Sequence, residues 1–403
     1  MNLRQVHIKD FALKAFLAFM VLCPMYYYNS LDFGVASLRI GQEQFFQLGA
    51  TVMFGLVLLE NMWLALFLIW TVFLYSYYGF SPMGGNYVLN VFWGCVLYQV
   101  VYKLVNRHNV KLVFNAMMTV YIFNLIFVVF QLLRSDPLFT SETQGFYFGD
   151  PVGIFGLKAF MGMYVALCTP IILMWKGFFK YLVLAVSCWL IYLSQCSVGA
   201  IALLTSILWH TWFHSKRLFI ALTLIGSLIC GAYVYKDSKM NFMSDRWDVW
   251  KVSMQDAVIH PILGCGLDSF RNMSKTKPFM YFKNTITNKS ERFHYHQDTN
   301  RIVAPEGFAK PDQACDPWDH PHNEYVSIFY EFGIIPFIIL GMLVWDMRRR
   351  FDKFTEMNVA MIGCFIAFAV FSIGQFPFHV ARIGYLAPIL LAIYFKLTEP
   401  EVI

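Results

Sequence analysis

Charge is what this chain has little of. Asp, Glu, Lys and Arg make up 14% of its 403 residues, against about 25% in soluble domains. That shortage excludes an ordinary water-exposed shell. There is no internal repeat and no separate soluble domain. A His-Glu-x-x-His run and a paired-cysteine cluster are also missing, which removes the commonest zinc signatures. The basic N-terminus, with Arg4, Lys9 and Lys14, leads directly into an apolar run. No small-residue cleavage pattern follows it, so no cleavable signal peptide is expected.

Apolar residues are abundant instead, at 58% of the chain, with 41 Phe, 22 Tyr and 11 Trp. So many rings are hard to hide in a water-soluble core, but they fit against lipid and at its interfaces. A single apolar run of about 10–14 residues would read as a buried core helix. Here runs of about 20 residues recur from end to end, the length that spans a bilayer. Twelve spans are expected, near 11–28, 44–59, 62–80, 86–105, 112–133, 152–175, 179–195, 197–214, 217–234, 322–345, 357–376 and 379–396. The 44–80 run divides at Glu60-Asn61 and the 179–214 run near Gln195–Gly199, because each is too long for one crossing at about 1.5 Å per residue. The reading is an all-α polytopic membrane protein, one transmembrane domain over 1–403, with its last three spans in 322–396.

The net charge of +6 follows the same logic and does not point to nucleic acid. Lys103/Arg107/Lys111, Lys176/Lys180, Lys216/Arg217 and Arg348–Arg350 sit between apolar runs, as inner-face loops do under the positive-inside rule. With the N-terminus inside, all four fall on the cytoplasmic side, as do both termini. The connections at 29–43, 81–85, 135–151, 235–321 and 377–378 then fall outside.

The 235–321 segment is the outlier among short connections, and structureless loops beyond about 12–15 residues are usually functional or disordered. Its first part has apolar residues at 247, 250, 254, 257 and 258, a spacing that suits an amphipathic helix along the membrane surface. Ser244 and Asp245 are candidate N-caps, His260-Pro261 a stop and Gly264-Cys-Gly266 a tight turn. Seven of the nine cysteines lie in apolar segments, where packing explains them. Cys265 and Cys315 lie in this polar stretch, and on an extracytoplasmic face they could form a disulfide.

Where the long loop enters the tenth span, the sequence reads Asp319-His320-Pro321-His322-Asn323-Glu324. Two histidines, carboxylates and an amide cost desolvation energy at a membrane boundary if they only support structure. An imidazole, with an ordinary pKa of about 6.5, can act as a base near neutral pH. A metal is the competing use, since His294, His296, His320 and His322 share the loop, but their spacing matches no zinc motif. Arg39, Arg246, Arg271 and Arg382 fall at the outer face, where the positive-inside rule does not explain them. An arginine there can hold a phosphate by bidentate bonds or simply pair with Glu331 or Asp268. His320, Glu324 and Glu331 share a helix face approximately, with His322 about 200° from His320. Both histidines face inward only if the helix begins irregularly. Gly333–Pro336 should bend it further down.

Two stretches resemble the O-antigen ligases and related O-antigen polymerases. One is Arg246-Trp-x-x-Trp running to Pro261-Ile-Leu-Gly-Cys-Gly-Leu-Asp-Ser-Phe270. The other is His320-Pro-His-Asn-Glu-Tyr-Val through Glu331-Phe-Gly-Ile-Ile335. The close matches cover about 50 residues, and the span count and late outer loop agree with the family's architecture. The resemblance implies a polytopic, GT-C-like glycosyltransferase of the bacterial inner membrane, with its site facing the periplasm and no cofactor. Its donor would be a glycan on undecaprenyl diphosphate, and its acceptor lipid A–core or another lipid-linked glycan. It implies His322 and Arg246 as catalytic residues, and Arg382, Arg271 and Arg39 as candidates for the donor diphosphate. His320, Asn323, Glu324 and Glu331 would support them. One departure stands out: in Ser197-Val198-Gly199-Ala200, valine occupies the position of a family arginine. A transporter is the rival from another class. It would call for broken helices related by a repeat, and none is found.

Overall fold

The computed structural model describes residue 14 and residues 61–78, 82–133, 151–155, 158–236, 244–270, 281–283, 290–292, 294–296, 301–303, 321–351, 355–375, 377–379 and 381–399. The first part of this set holds α1 (Met62–Tyr77), α2 (Pro82–Leu104), α3 (Val110–Leu132), α4 (Lys158–Leu173), α5 (Phe179–Ser194), α6 (Ser197–His214) and α7 (Lys216–Lys236). It continues with α8 (Ser244–Ala257), α9 (Glu324–Phe332), α10 (Ile335–Arg349), α11 (Glu356–Ser372), α12 (Ala381–Gly384) and α13 (Leu386–Leu397). Each expected span from 62–80 onward contains a described helix, while those at 11–28 and 44–59 lie outside the described residues. By length and composition, α2 and α3 can each cross a membrane alone; α1, α4, α5, α11 and α13 are apolar but shorter.

Two spans begin or break differently from the sequence expectation. The 152–175 run opens with a 3₁₀ turn at Gly153–Phe155 before α4, and the 379–396 run divides into α12 and α13. The 322–345 run divides into α9 and α10 at the Gly333–Pro336 stretch expected to bend it. The departure from an all-α chain lies in the long loop, where β1 (Tyr281–Lys283) pairs antiparallel with β2 (Ser290–Arg292), and β3 (His294–His296) with β4 (Arg301–Val303).

The chain divides into two compact units, Met1–Ala65, Asn90–Ser227 and Leu343–Ile403 in one, Leu66–Leu89 and Leu228–Met342 in the other. The first is organised on α4, which is buried continuously from Phe160 to Leu173. A helix apolar on every side belongs at the centre of a bundle. Small residues let its neighbours approach, as membrane helices require when hydrophobic exclusion no longer drives packing. A Cβ on Gly199 of α6 would lie 3.3 Å from the Gly162 carbonyl carbon, and one on Gly363 of α11 would lie 2.9 Å from Pro170. Hydrogen bonds then fix the register: Tyr164 donates to the Met117 carbonyl at 2.8 Å, and Trp209 to that of Val359 at 2.8 Å.

The expected division near 195 is present. Gln195 ends α5 in a left-handed conformation (φ 48°), and the Cys196 sulfur accepts from Gly199 N–H to start α6. Val198 packs on Gly374, where an added Cβ would approach its Cγ2 to 2.4 Å. The family arginine's position is therefore filled here by an apolar contact. At the other division, the Asn61 side chain accepts from Trp63 and Leu64 N–H to start α1.

Candidate functional site

The second unit carries the histidine motif, and its geometry is set by how α9 starts and stops. At the start, the Asn323 side chain accepts from Val326 N–H at 3.1 Å, the N-cap bond that Asn is suited to make. Just before it, the Pro321 carbonyl accepts from the Trp250 indole at 2.8 Å, which ties α8 to the entrance of α9. His322, between these two anchors, has φ 51°. Few non-glycine residues adopt this left-handed region, and they concentrate at functional sites. The start of α9 is thus irregular at His322, while His320 lies outside the described residues. Asp268, also at the site, is a second non-glycine residue in this conformation, with φ 61°.

At its other end α9 stops in mid-membrane sequence, and its last carbonyls need partners. Gly333 N–H bonds to Phe329, Cys265 N–H to Tyr330 at 2.6 Å, and Gly266 N–H to Glu331 at 3.2 Å. The Phe332 carbonyl accepts from the Trp70 indole at 3.0 Å. Ile334 N–H, beyond the break, bonds to Pro261 at 2.9 Å. These bonds occupy the carbonyls of Phe329 through Phe332, which is what a non-helical joint at membrane depth requires of them. Two left-handed glycines make this possible. A Cβ on Gly333 (φ 75°) would lie 2.1 Å from the Ile262 carbonyl oxygen, and one on Gly264 (φ 70°) 2.6 Å from the Glu331 carbonyl carbon. Tyr78 completes the joint by donating to the Gly264 carbonyl at 2.5 Å.

Between start and stop, α9 turns a polar stripe inward. Glu324, Ser327 and Glu331 are each no more than 2% exposed. The Glu331 carboxyl accepts from the backbone N–H groups of Phe270 and Asp268, and it feels the charges of Asp268 and Glu324. Ser327 Oγ and Glu331 Oε2 are buried without a hydrogen-bond partner among the described residues. Around them Val249, Ala257, Phe270 and Tyr330 form a small apolar core. The half-buried His322 thus sits at the mouth of a polar seam whose apolar walls come from α8 and α9.

The apolar residues of α8 divide between the protein interior and the exposed side. Val249, Ser253 and Ala257 point into the protein, whereas Met254 and Val258 are exposed. Ser253 is accommodated because its hydroxyl donates to the Val249 carbonyl at 2.6 Å.

Of the site residues expected from sequence, Glu324 and Glu331 lie on α9, Asn323 caps it and His322 immediately precedes it, with Cys265 on the facing turn. Arg246 lies in the first turn of α8 and Arg382 in α12. Their side chains, together with His320, Arg271, Arg39 and Cys315, lie outside the described residues. Among the described residues no group of three His, Cys, Asp or Glu is placed to hold a metal ion; the side chains of His294 and His296 are not in that set. Sequence reasoning missed Trp70, Tyr78 and Ser327, and it gave Trp250 only as part of an apolar face and a motif. The three rings act over long chain separations that no local pattern reveals. Ser327 was legible in principle, lying three residues after Glu324 and four before Glu331.

A helical membrane protein with a histidine held at a polar seam is the class that fold and site define. Residues 181–341 match the family model described as O-antigen ligase, and over that stretch the chain is similar to that family. The matched stretch runs from α5 into α10. It contains Val198, Arg246, Arg271 and the whole of α9, but neither Arg39 nor Arg382. The family is membrane-embedded, with ligase- or polymerase-type glycosyltransferase activity on lipid-linked glycans. No curated protein matches the chain.

Proposed function

We propose that the protein is an O-antigen ligase-like glycosyltransferase that moves a glycan from undecaprenyl diphosphate to a sugar hydroxyl of lipid A–core. The observation that carries the proposal is His322. It lies inside the family-matched segment, in a left-handed conformation fixed by the Asn323 cap and the Trp250–Pro321 bond, at the mouth of a polar seam. Its imidazole takes the proton of the acceptor hydroxyl as that oxygen attacks the anomeric carbon. The bond from carbon to the diphosphate oxygen breaks, and undecaprenyl diphosphate leaves with the bonding pair. Direct displacement inverts the anomeric centre. Arg246, with Arg382, Arg271 or Arg39, neutralises charge growing on the leaving group. This role needs no metal.

The fold that goes with this chemistry is a GT-C-like body of twelve spans in the bacterial inner membrane, with the site facing the periplasm. The separation of the basic connections from the His322 end of the chain supports that orientation. Joining lipid-linked repeat units is the neighbouring reaction, with the same donor chemistry and a different acceptor.

The deciding experiment uses the purified full chain in proteoliposomes with an undecaprenyl diphosphate-linked glycan. It is offered lipid A–core or a second lipid-linked glycan. Transfer to lipid A–core is expected, with His322→Asn and His322→Ala both lower by roughly 10²-fold or more. Longer lipid-linked chains would redirect the assignment to polymerisation, and wild-type turnover by both variants would remove His322 as the base. EDTA should leave the activity largely intact, whereas strict loss restored by one divalent ion would end the metal-free mechanism.

A further inference from the structure

The segment that follows α8 carries exposed apolar side chains where an aqueous loop would carry polar ones. Val258, Ile259 and Ile262 are 61%, 69% and 58% exposed, and Met254 one turn earlier is 40% exposed. Residues 257–267 contain no Asp, Glu, Lys or Arg. The exposed polar groups Lys251 and Gln255 lie on the preceding turns, with His260 alone among the apolar tips.

The position of this segment along α9 is fixed by bonds at both ends. Trp250 bonds to Pro321 at the top of α9, and Pro261 to Ile334 just past its bottom. Thus α8 runs beside α9 in the same direction. The nine residues of α9 measure about 14 Å at 1.5 Å per residue, and the 258–263 turn lies that far along the helix from His322. The chain then returns through Cys265 and Gly266, bonded to Tyr330 and Glu331. Beside the turn, α10 continues with exposed Ile338, Leu340 and Met342, preceded by Ile334.

We propose that α8 and residues 258–270 form a re-entrant hairpin whose tip, Val258–Ile262, is seated in the hydrocarbon of the leaflet that borders His322. The occupant of the exposed apolar face is lipid acyl chain, because the patch is continuous with the exposed apolar side of α10. The backbone of the turn is partly satisfied within the protein: the N–H groups of Val258, Ile259, His260, Gly264, Cys265 and Gly266 are bonded there, as are the Pro261 and Gly264 carbonyls. Irregular backbone survives at membrane depth only when its polar groups are satisfied by protein or line a water-filled cavity. The proposal needs only that the protein is membrane-embedded and is independent of the reaction assigned to His322.

The test places a genetically encoded fluorescent amino acid at Ile259, and separately at Val258, in the full chain reconstituted into phosphatidylcholine vesicles. A probe at Ile338 serves as the lipid-facing reference and one at His108 as the aqueous reference. A nitroxide carried mid-chain on phosphatidylcholine should quench the tip several-fold more than aqueous iodide does, as it does at Ile338. Iodide quenching like that at His108 would put the tip in water and overturn the proposal. Shielding from both quenchers would place protein, such as a second copy, over the patch and would overturn it equally.

Discussion

Position 322 makes two separate demands on its side chain, one chemical and one conformational. The chemistry asks for a base, and the backbone, at φ 51°, asks for a residue that tolerates the left-handed region. Asn tolerates that region better than Ala, which incurs about 1–2 kcal/mol there. His322→Asn should therefore unfold near the wild-type temperature in detergent, whereas His322→Ala unfolds lower, although both lose activity. Equal unfolding temperatures for the two variants would show that the loop relaxes freely and that the strain is not held. Glu331 makes a comparable case further down the seam. Its carboxyl accepts two backbone N–H groups from the 268–270 turn, and leaving a buried donor without a partner costs about 1–3 kcal/mol. Glu331→Gln retains one acceptor oxygen and should cost less than half of what Glu331→Ala costs by thermal unfolding. If the two variants unfold together, the carboxyl does not hold the turn.

At the scale of elements, the joint between α9 and α10 depends on glycine for reasons of space as well as backbone. Gly333→Ala forces a Cβ to within 2.1 Å of the Ile262 carbonyl oxygen at φ 75°, and Gly264→Ala meets the Glu331 backbone at 2.6 Å. The left-handed backbone alone costs about 1–3 kcal/mol. Both variants should fold poorly and lose activity. Gly341, inside α10, has nothing within 4 Å of an added Cβ, so Gly341→Ala should be neutral or stabilise by about 0.5–1 kcal/mol. Comparable losses at all three positions, measured by yield and unfolding temperature, would rule out the joint as the cause.

The joint was legible in sequence because Gly333 and Pro336 interrupt an apolar run, and the division at Gln195 was legible from run length. The inward face of α8 was not. Hydrophobic periodicity cannot count Ser253 as a core residue, since its burial rests on a hydroxyl bond to its own helix. Nor does periodicity reveal that Trp250 meets Pro321, 71 residues away in sequence. The histidine motif was readable as chemistry, but its left-handed backbone was readable only as a requirement for irregularity.

For the whole molecule, the decisive property is which side of the membrane each end of the helices faces. Lys176, Lys180, Lys216, Arg217 and Arg348–Arg350 lie in connections separated by an odd number of apolar runs, three or one, from the loop that leads to the histidine motif. Positive charge in short loops is retained on the cytoplasmic side, and long loops are translocated largely regardless of charge. The 235–321 loop carries its own lysines and arginines, and its length lets it cross despite them. In right-side-out vesicles, a cysteine introduced at Ser274 should react with a membrane-impermeant maleimide, whereas one at Lys216 should react only after permeabilisation. The native cysteines serve as a background, measured on the unmodified chain. The reverse pattern would place His322 on the cytoplasmic face and exclude a donor presented on the periplasmic side. Labelling of both sites in intact vesicles would mean that the two connections share a face, and the 217–234 run would then not cross the membrane.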